Sequence, residues 1–440
     1  MIFSLDVRRA RKGDCFLLHF GEKREPGVVM IDGGPKDVYK PQLKPRIQQI
    51  RTARGLSKQD PLEVELLMVS HVDDDHIQGI LDMTREMIVT KNSRQPQVVN
   101  ILRFWHNSFD AIIGKKPQEL TSTFKSHFGA AGLEGELSEA KAAEVEDEAS
   151  PELTEQGVVA DSLKVLSSIE QGYRLRNDST NLGFPPNSEF DGKLLMAQEH
   201  GKCIEIGQGL TFTVVGPMKP ELQALYEKHN RWLEDLEKQR KSPPSALAAY
   251  IDPSVTNLSS LVVLAQASDK RMLLTGDARG DKILQGLQLT GLIGADKKSR
   301  INVDLLKIPH HGSSNNLDQD FFERIIAEHY VFSGNGEHGN PERETLQMLL
   351  QARGDEDYMM HFTYPLAEID IEREKDWNKQ QQKQKNRKRK NPEVEVREGW
   401  SAKEHSLIAF FEANKYAAKK VRVVEPDRTH VIDLLEPVNC

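Results

Sequence analysis

Short apolar runs broken by charge and glycine dominate both ends of the chain, and a polar stretch separates them. FSLDV (3–7), CFLLHF (15–20) and VVMIDGG (28–34) are β-rich runs bounded by Gly, Pro and charged residues, and they predict a β-meander. PQLKPRIQQIRTARGL places Leu43, Ile47 and Ile50 at helical spacing, with Gly55 as a C-cap. LEVELLMVS (62–70) is a continuous apolar strand of the kind buried on both faces of a sheet. After VVNILRFW (98–105) the pattern changes: residues 111–200 are rich in Ala, Glu, Lys, Ser and Gln and predict a helical insertion.

Strand patterns resume with LTFTVVGP (210–217), SSLVVLAQ (259–266), KRMLLTGD (270–277), DLLKIPHHG (304–312) and HYVFSGN (329–335), with helical patterns between them. That alternation implies an α/β layered fold. KQQQKQKNRKRK (379–390) carries seven basic and no acidic residues, so 373–392 reads as a solvated basic linker or loop. Beyond it, 393–440 reads as a C-terminal extension. A capping box at Ser401 and Glu404 opens one helix, and VRVV (421–424) with HVIDLL (430–435) forms a closing strand pair.

A length of 440 residues allows one large layered domain with insertions, here 1–372. The net charge of -8 argues against a generally nucleic-acid-coated surface and leaves room for one basic groove or tail. Cys15, Cys203 and Cys440 are too far apart for a zinc-knuckle or redox pair, and a reducing cytoplasm is the expected home. MIFSLDVRRARKGD has no apolar export core, and no later run approaches the roughly 18 apolar residues of a membrane span.

Candidate chemistry begins in SHVDDDHIQG, where His71, Asp73, Asp75 and His76 offer lone pairs to a divalent cation. In extended chain, positions 71, 73 and 75 share one side, and a turn into a helix swings His76 toward the same centre. The competing reading is an exposed strand-to-helix turn in which Asp73 to Asp75 cap the helix. Two further apolar strands end in Gly276-Asp277 and in His310-His311-Gly312-Ser313, so three strands are expected to bring ligand residues to one sheet edge.

The order MIDGG, SHxDxDHxxG, LLTGD, LKIPHHGS resembles the metallo-β-lactamase fold superfamily, most closely the branch typified by the extracellular domain of the DNA-uptake channel protein ComEC. The resemblance covers residues 1 to about 110 and 200 to about 370. It implies an αββα four-layer sandwich, with Gly13-Asp14 and Asp32-Gly33-Gly34 as turns beside the active site and Asn257 and Ser260 aligned on the strand before the Gly-Asp motif. No transmembrane helices accompany the chain, so transport is not implied.

By the same resemblance, two divalent ions sit in adjoining sites. The first takes His71 and Asp73. Asp73 stands where most of the superfamily has a histidine, and Asn257 where a further histidine is usual. That oxygen-rich set favours manganese or magnesium, with zinc the alternative. The second site takes Asp75, His76, a bridging Asp277 and His310, which is preferred to His311; the latter orients the ligand or meets substrate. Asp75 and Asp277 are assigned catalytic roles.

Lys307 is a candidate to neutralise a substrate phosphate, against a lysine snorkelling at the sheet edge. Ser313 and Ser314 either hydrogen-bond a phosphate or cap a helix. His338 and Asn340 either contact substrate or form a plain turn before Pro341. His106, between Trp105 and Phe109, reads more readily as a packing residue than as a cleft residue.

The resulting expectation is a metal-dependent phosphodiesterase or nuclease acting on DNA or RNA through a metal-activated water. Two alternatives stand beside it: hydrolysis of a small phosphodiester or other ester under a lid formed by 111–200, and a partner-binding protein with a weakened metal site. The last would bind a protein through the insertion or the C-terminal extension.

Overall fold

The structure, a computed structural model, describes residues 1–108, 111–112, 171–224, 226–227, 257, 259–426 and 428–438. Among the described residues the architecture is mixed α/β, with sheets of six, eight and two strands.

The expected meander is present. β1 (Ile2–Val7), β2 (Phe16–Gly21) and β3 (Gly27–Ile31) pair antiparallel in sequence order. β5 (Leu66–Val69) and β7 (Phe104–His106) extend that sheet in parallel. The single strand expected over 62–70 is two. β4 (Leu62–Val64) pairs with β6 (Val99–Ile101) in a separate ribbon, and the break falls at the charged Glu65.

The eight-stranded sheet runs β15-β14-β13-β12-β11-β10-β9-β8. Its members are β8 (Cys203–Gly207), β9 (Leu210–Gly216), β10 (Val262–Ala267), β11 (Lys270–Leu274), β12 (Ile301–Lys307), β13 (Ile325–Phe332), β14 (Met359–Phe362) and β15 (Val421–Val423). Strands β8 to β11 pair antiparallel, and those from β11 to β15 parallel.

Three apolar clusters bind these sheets to each other and to helices. Phe3, Leu18, Val29 and Met68 of the six-stranded sheet share one cluster with Phe212, Val263, Met272 and Leu305 of the eight-stranded sheet. Leu17, Met30 and Leu67, one residue out of phase, pack instead with α1 (Lys44–Ala53) and α2 (Asp74–Asn92) through Ile47, Ile50, Ile77 and Ile80. Alternation along each strand thus fills two faces at once. The opposite alternation of the eight-stranded sheet, Leu273, Leu306 and Tyr330, packs with α3 (Gly280–Leu289), α4 (Gln319–Arg324) and α5 (Arg343–Arg353).

The C-terminal expectations need correction. Residues 373–392 are no linker: α6 runs unbroken over Leu366–Lys390. Its Gln, Lys and Arg residues are good helix formers. Residues 397–398 lie along one side of it: Trp377 Nε1 donates to Glu398 O and Gln381 Nε2 to Arg397 O, both at 2.9 Å.

Nor do the last strands pair with each other. β15 adds parallel to β14, whereas β16 (His430–Asp433) pairs antiparallel with β1. Each finds an open edge of a different sheet and covers it, which an isolated strand pair would not do. Between α6 and β15 lie three short helices rather than one, α7 (Ala402–His405), α8 (Leu407–Ala413) and α9 (Lys415–Ala418).

Of the expected helical insertion, 171–182 is helical and 183–200 is largely irregular, while 113–170 fall outside the described residues. Asn187 ties the described part to the sheet, accepting from His106 N–H and donating to His106 O. Among the described residues no helix is long and apolar enough to cross a membrane.

Candidate metal centre

The three ligand-bearing strands do not end on one sheet edge, as expected. β11 and β12 are neighbours in the eight-stranded sheet, whereas β5 belongs to the six-stranded one. Apolar runs report burial but not which sheet a strand joins. The site therefore lies where the two sheets meet, joined there by Leu261 N–H donating to Ser70 O at 2.8 Å.

Close backbone approaches hold the first motif. Gly79, on the first turns of α2, abuts the turn after β3, and a Cβ on it would lie 1.9 Å from Gly33 O. A Cβ on Gly13 would lie 1.8 Å from Asp75 O. Only glycine admits these contacts, and they fix Asp75 and His76 relative to the β1–β2 and β3 turns.

Asp75, His76, Asp277 and His311 each aim one ligand atom at a common point. His76 Nε2 is 3.4 Å from Asp277 Oδ1 and 3.9 Å from Asp75 Oδ1. His311 Nε2 is 3.3 Å from Asp277 Oδ2 and 3.6 Å from Asp75 Oδ2. Ligands about 2.0–2.1 Å from a tetrahedral ion are roughly 3.3 Å apart, and here one ligand atom from each of the four residues lies within 4.8 Å of the others. His71 Nε2 flanks the group, 3.7 Å from Asp73 Oδ2 and 3.9 Å from Asp277 Oδ2. Nε2 of His71, His76 and His311 and Oδ1 of Asp277 are buried without a hydrogen-bond partner, a costly state for a polar atom unless something else binds there.

The other ring nitrogens are all engaged. His76 Nδ1 lies 2.8 Å from Asp32 Oδ2, His311 Nδ1 2.9 Å from Ser333 Oγ, and His71 Nδ1 3.1 Å from Ser70 Oγ. Asp32 also accepts from Ser70 N–H and Ser70 Oγ, both at 2.7 Å. An N–H held at Nδ1 leaves the Nε2 lone pair facing the centre, the arrangement in which histidine ligates metals.

The electrostatics attract cations. Burial opposes a charge on His76, yet Asp277, Asp32 and Asp75 push its pKa well above the ordinary value. His311 is likewise pushed up to about 10, against burial, by Asp277 and Asp14. Asp75 and Asp277 are held well below the usual carboxylate range; burial opposes this, and the neighbouring histidines overcome it. His71, by contrast, is pushed down to about 3 by burial and by His76.

Placement of the remaining candidates corrects several readings. His311 rather than His310 joins the four-ligand group. Both residues are left-handed, with φ of 46° and 53°, and their ring planes stand 72° apart. His310 is 31 % exposed at the mouth, its Nε2 3.9 Å from Asp277 Oδ2. Lys307 does not face a cleft: its side chain is 1 % exposed and its ammonium sits 2.5 Å from Asp14 Oδ2. Asp74 points away from the centre and accepts from Gln78 and Gln171. Asp73 occupies the N-cap position of α2 but makes no side-chain cap bond.

Asn257 is buried and its carbonyl accepts from Ser260 N–H, while Ser260 Oγ accepts from Asp277 N–H at 3.3 Å. That stretch buttresses the Asp277 backbone. Ser313 is buried and donates its N–H to His310 O; Ser314 N–H donates to Glu342. His338 is exposed on a 3₁₀ turn and Asn340 is buried; neither belongs to a ligand group. His106 is buried and stacked on Phe104, a packing position. Asp14 and Asp32 were legible as turn residues beside the site, but their contacts with His311 and His76 carry no sequence signal, nor do those of Ser70 and Ser333.

No protein-family model matches the chain. Over 136 residues, 30% of this chain and 5% of the relative, it is 34% identical to human (Homo sapiens) "Microtubule-associated protein 1A". It is 38% identical over 76 residues, 17% of this chain and 3% of the relative, to the Rattus norvegicus protein of that name. With "Microtubule-associated protein futsch" of Drosophila melanogaster it shares 40% identity over 57 residues, 13% of this chain and 1% of the relative. The chain thus spans at most 5% of the length of these curated relatives.

Proposed function

We propose that the chain is a metal-dependent hydrolase of the metallo-β-lactamase fold, close to the ComEC-type branch, that cleaves phosphodiesters and acts as a nuclease. The observation that carries this reading is the convergence of Asp75, His76, Asp277 and His311, with both imidazoles oriented from behind. The three apolar clusters, helix to sheet, sheet to sheet and sheet to helix, support an αββα sandwich. A cytoplasmic location, expected from the sparse cysteines, belongs to the same reading.

The donor set fits the implied ions. Two imidazoles and two carboxylates suit manganese or zinc, and His71 with Asp73 offers a flanking, oxygen-rich position. Asp14, Asp32, Asp73, Asp75 and Asp277 bring five carboxyl groups to the region of the Lys307 ammonium, an acidic surplus that supports cation binding. When bound, such ions supply Lewis acidity and lower the pKa of water to near neutrality. Asp277, with one oxygen toward His76 and the other toward His311 and His71, is placed to bridge the two positions. Asp75, a fifth exposed, is the most open of the four ligand residues.

A nucleic-acid substrate draws on α6. Its seven basic residues over 379–390 continue a helix whose earlier part is anchored by Arg373 Nε donating to Gly339 O at 3.0 Å. Comparing cleavage of plasmid DNA, RNA and cyclic dinucleotides by metal-stripped protein resupplied with Mn²⁺ tests the reading. Cleavage of the polymers that weakens steeply with salt is expected. Cleavage of the cyclic dinucleotides alone replaces the nuclease with a small-phosphodiester hydrolase.

A second reading, a partner-binding protein with a weakened centre, draws on the local similarity to proteins named as microtubule-associated. Co-sedimentation with microtubules, unchanged by Asp277→Ala and accompanied by no hydrolysis, is the outcome that favours it.

A further inference from the structure

Two sets of ligand-type side chains share His76: the four-residue group above, and Asp14, Asp32 and His76. The second set already contains a cation. Lys307 Nζ lies 2.5 Å from Asp14 Oδ2 and 3.6 Å from Asp277 Oδ1, and donates to Gly276 O at 2.9 Å. Lys307 and Asp14 are both 1 % exposed, so no substrate reaches either.

Asp14 is held on its other side as well. Its N–H donates to Asp75 O, an approach that Gly13 makes possible, and its second oxygen lies 3.4 Å from His311 Nδ1. A line of contacts therefore runs from the end of β12 through the ammonium and the Asp14 carboxylate to the back of His311, whose Nε2 faces the centre. Lys307 and His311 are four residues apart on one strand end, and Asp14 comes to both from the β1–β2 turn. A buried ammonium fixed by two carboxylates and a carbonyl has no freedom to follow a substrate. Its position instead fixes what touches it.

We propose that Lys307 and Asp14 form an internal ion pair that positions the His311 imidazole for the metal, which makes Lys307 a positioning residue rather than a substrate contact. The inference rests on the metal-centre reading of the preceding subsection. Without the pair, His311 keeps its contact with Ser333 Oγ but loses the carboxylate charge 3.4 Å from its Nδ1.

The test separates stability from metal affinity. Exchanging both charges at once, Lys307→Met with Asp14→Asn, removes the ion pair as a unit and leaves neither of its members behind alone. The full-length double variant is expected to stay folded, by circular dichroism and melting, yet to bind Mn²⁺ and Zn²⁺ about 10–100-fold more weakly in calorimetric titrations. A folded double variant that binds both ions as tightly as wild type overturns the proposal and leaves the metal centre standing. Should the double variant not fold, Asp14→Asn alone, which keeps the ammonium, decides on the same scale: weaker binding supports the proposal and unchanged binding overturns it. Wild-type protein that binds neither ion overturns the metal centre and this inference together.

Discussion

His76 Nδ1 and Asp32 Oδ2 stand 2.8 Å apart, both side chains buried, and this contact turns His76 Nε2 toward Asp277. Asp32→Asn keeps the shape but removes the charge and puts an NH2 donor in place of one of the two accepting oxygens that face Ser70 and His76. Metal affinity is expected to fall about 10–100-fold. Calorimetric titration with Mn²⁺ reads this directly, and unchanged affinity would show that Asp32 serves only the Ser70 turn.

The two histidines of the PHHG turn are expected to behave differently. His311→Ala removes a ligand, and its loss of affinity should exceed the about 100-fold upper end expected for an orienting partner. His310→Ala, at the exposed mouth, should retain the metal. Metal analysis of the two purified variants checks this; a reversed ranking refutes the assignment of His311.

Stability should depend on pH through a second group of histidines. His361 on β14 bridges His329 Nδ1 on β13, at 3.0 Å, and His430 Nε2 on β16, at 2.9 Å, and so links the two sheets. Burial, and after it His430 and His329, pushes His361 down to about 2, and the other two are lowered as well, mainly by burial. A histidine depressed in the fold contributes stability that is present above its unfolded pKa of roughly 6.5 and is lost as pH falls below it. Urea unfolding at pH 7, 6 and 5 should show a decline approaching about 1.4 kcal/mol per pH unit for each extra proton taken up on unfolding. His361→Gln should flatten that decline, and an equal slope in the variant would place its cause elsewhere.

Gly79→Ala brings a Cβ to within 1.9 Å of Gly33 O, where backbone rather than a flexible side chain must yield. A loss of about 1–3 kcal/mol is expected. Gly399→Ala, whose Cβ meets nothing within 4 Å, should stay within about 0.5 kcal/mol of wild type in the same denaturant series.

The strands were legible where alternation or an apolar run was long. β1 to β3 and β9 to β13 fall within or close to the runs read from sequence, whereas β8 and β14 are short and were not anticipated. Sheet membership was not legible. The run at 62–70 contains two strands in different sheets, and the final two strands look like a pair yet cap different edges, because an edge is defined by its neighbour and not by local composition. The basic run at 379–390 misled for a related reason. Its polarity suggests solvent, but the backbone bonds of a helix do not depend on burial and the residues favour helix. At the site, the spacing of SHVDDDHIQG announced Asp75 and His76, whereas the choice between His310 and His311 is set by two consecutive left-handed residues that no pattern reveals.

The central claim is that Asp75, His76, Asp277 and His311 hold a divalent metal that drives hydrolysis. Metal content per chain, measured on wild type and Asp277→Ala purified side by side and then exposed to Mn²⁺, tests it most directly. At least one ion per wild-type chain, absent from the variant together with any phosphodiester cleavage, is the predicted result. Equal metal content in the two proteins, or none in either, would contradict it.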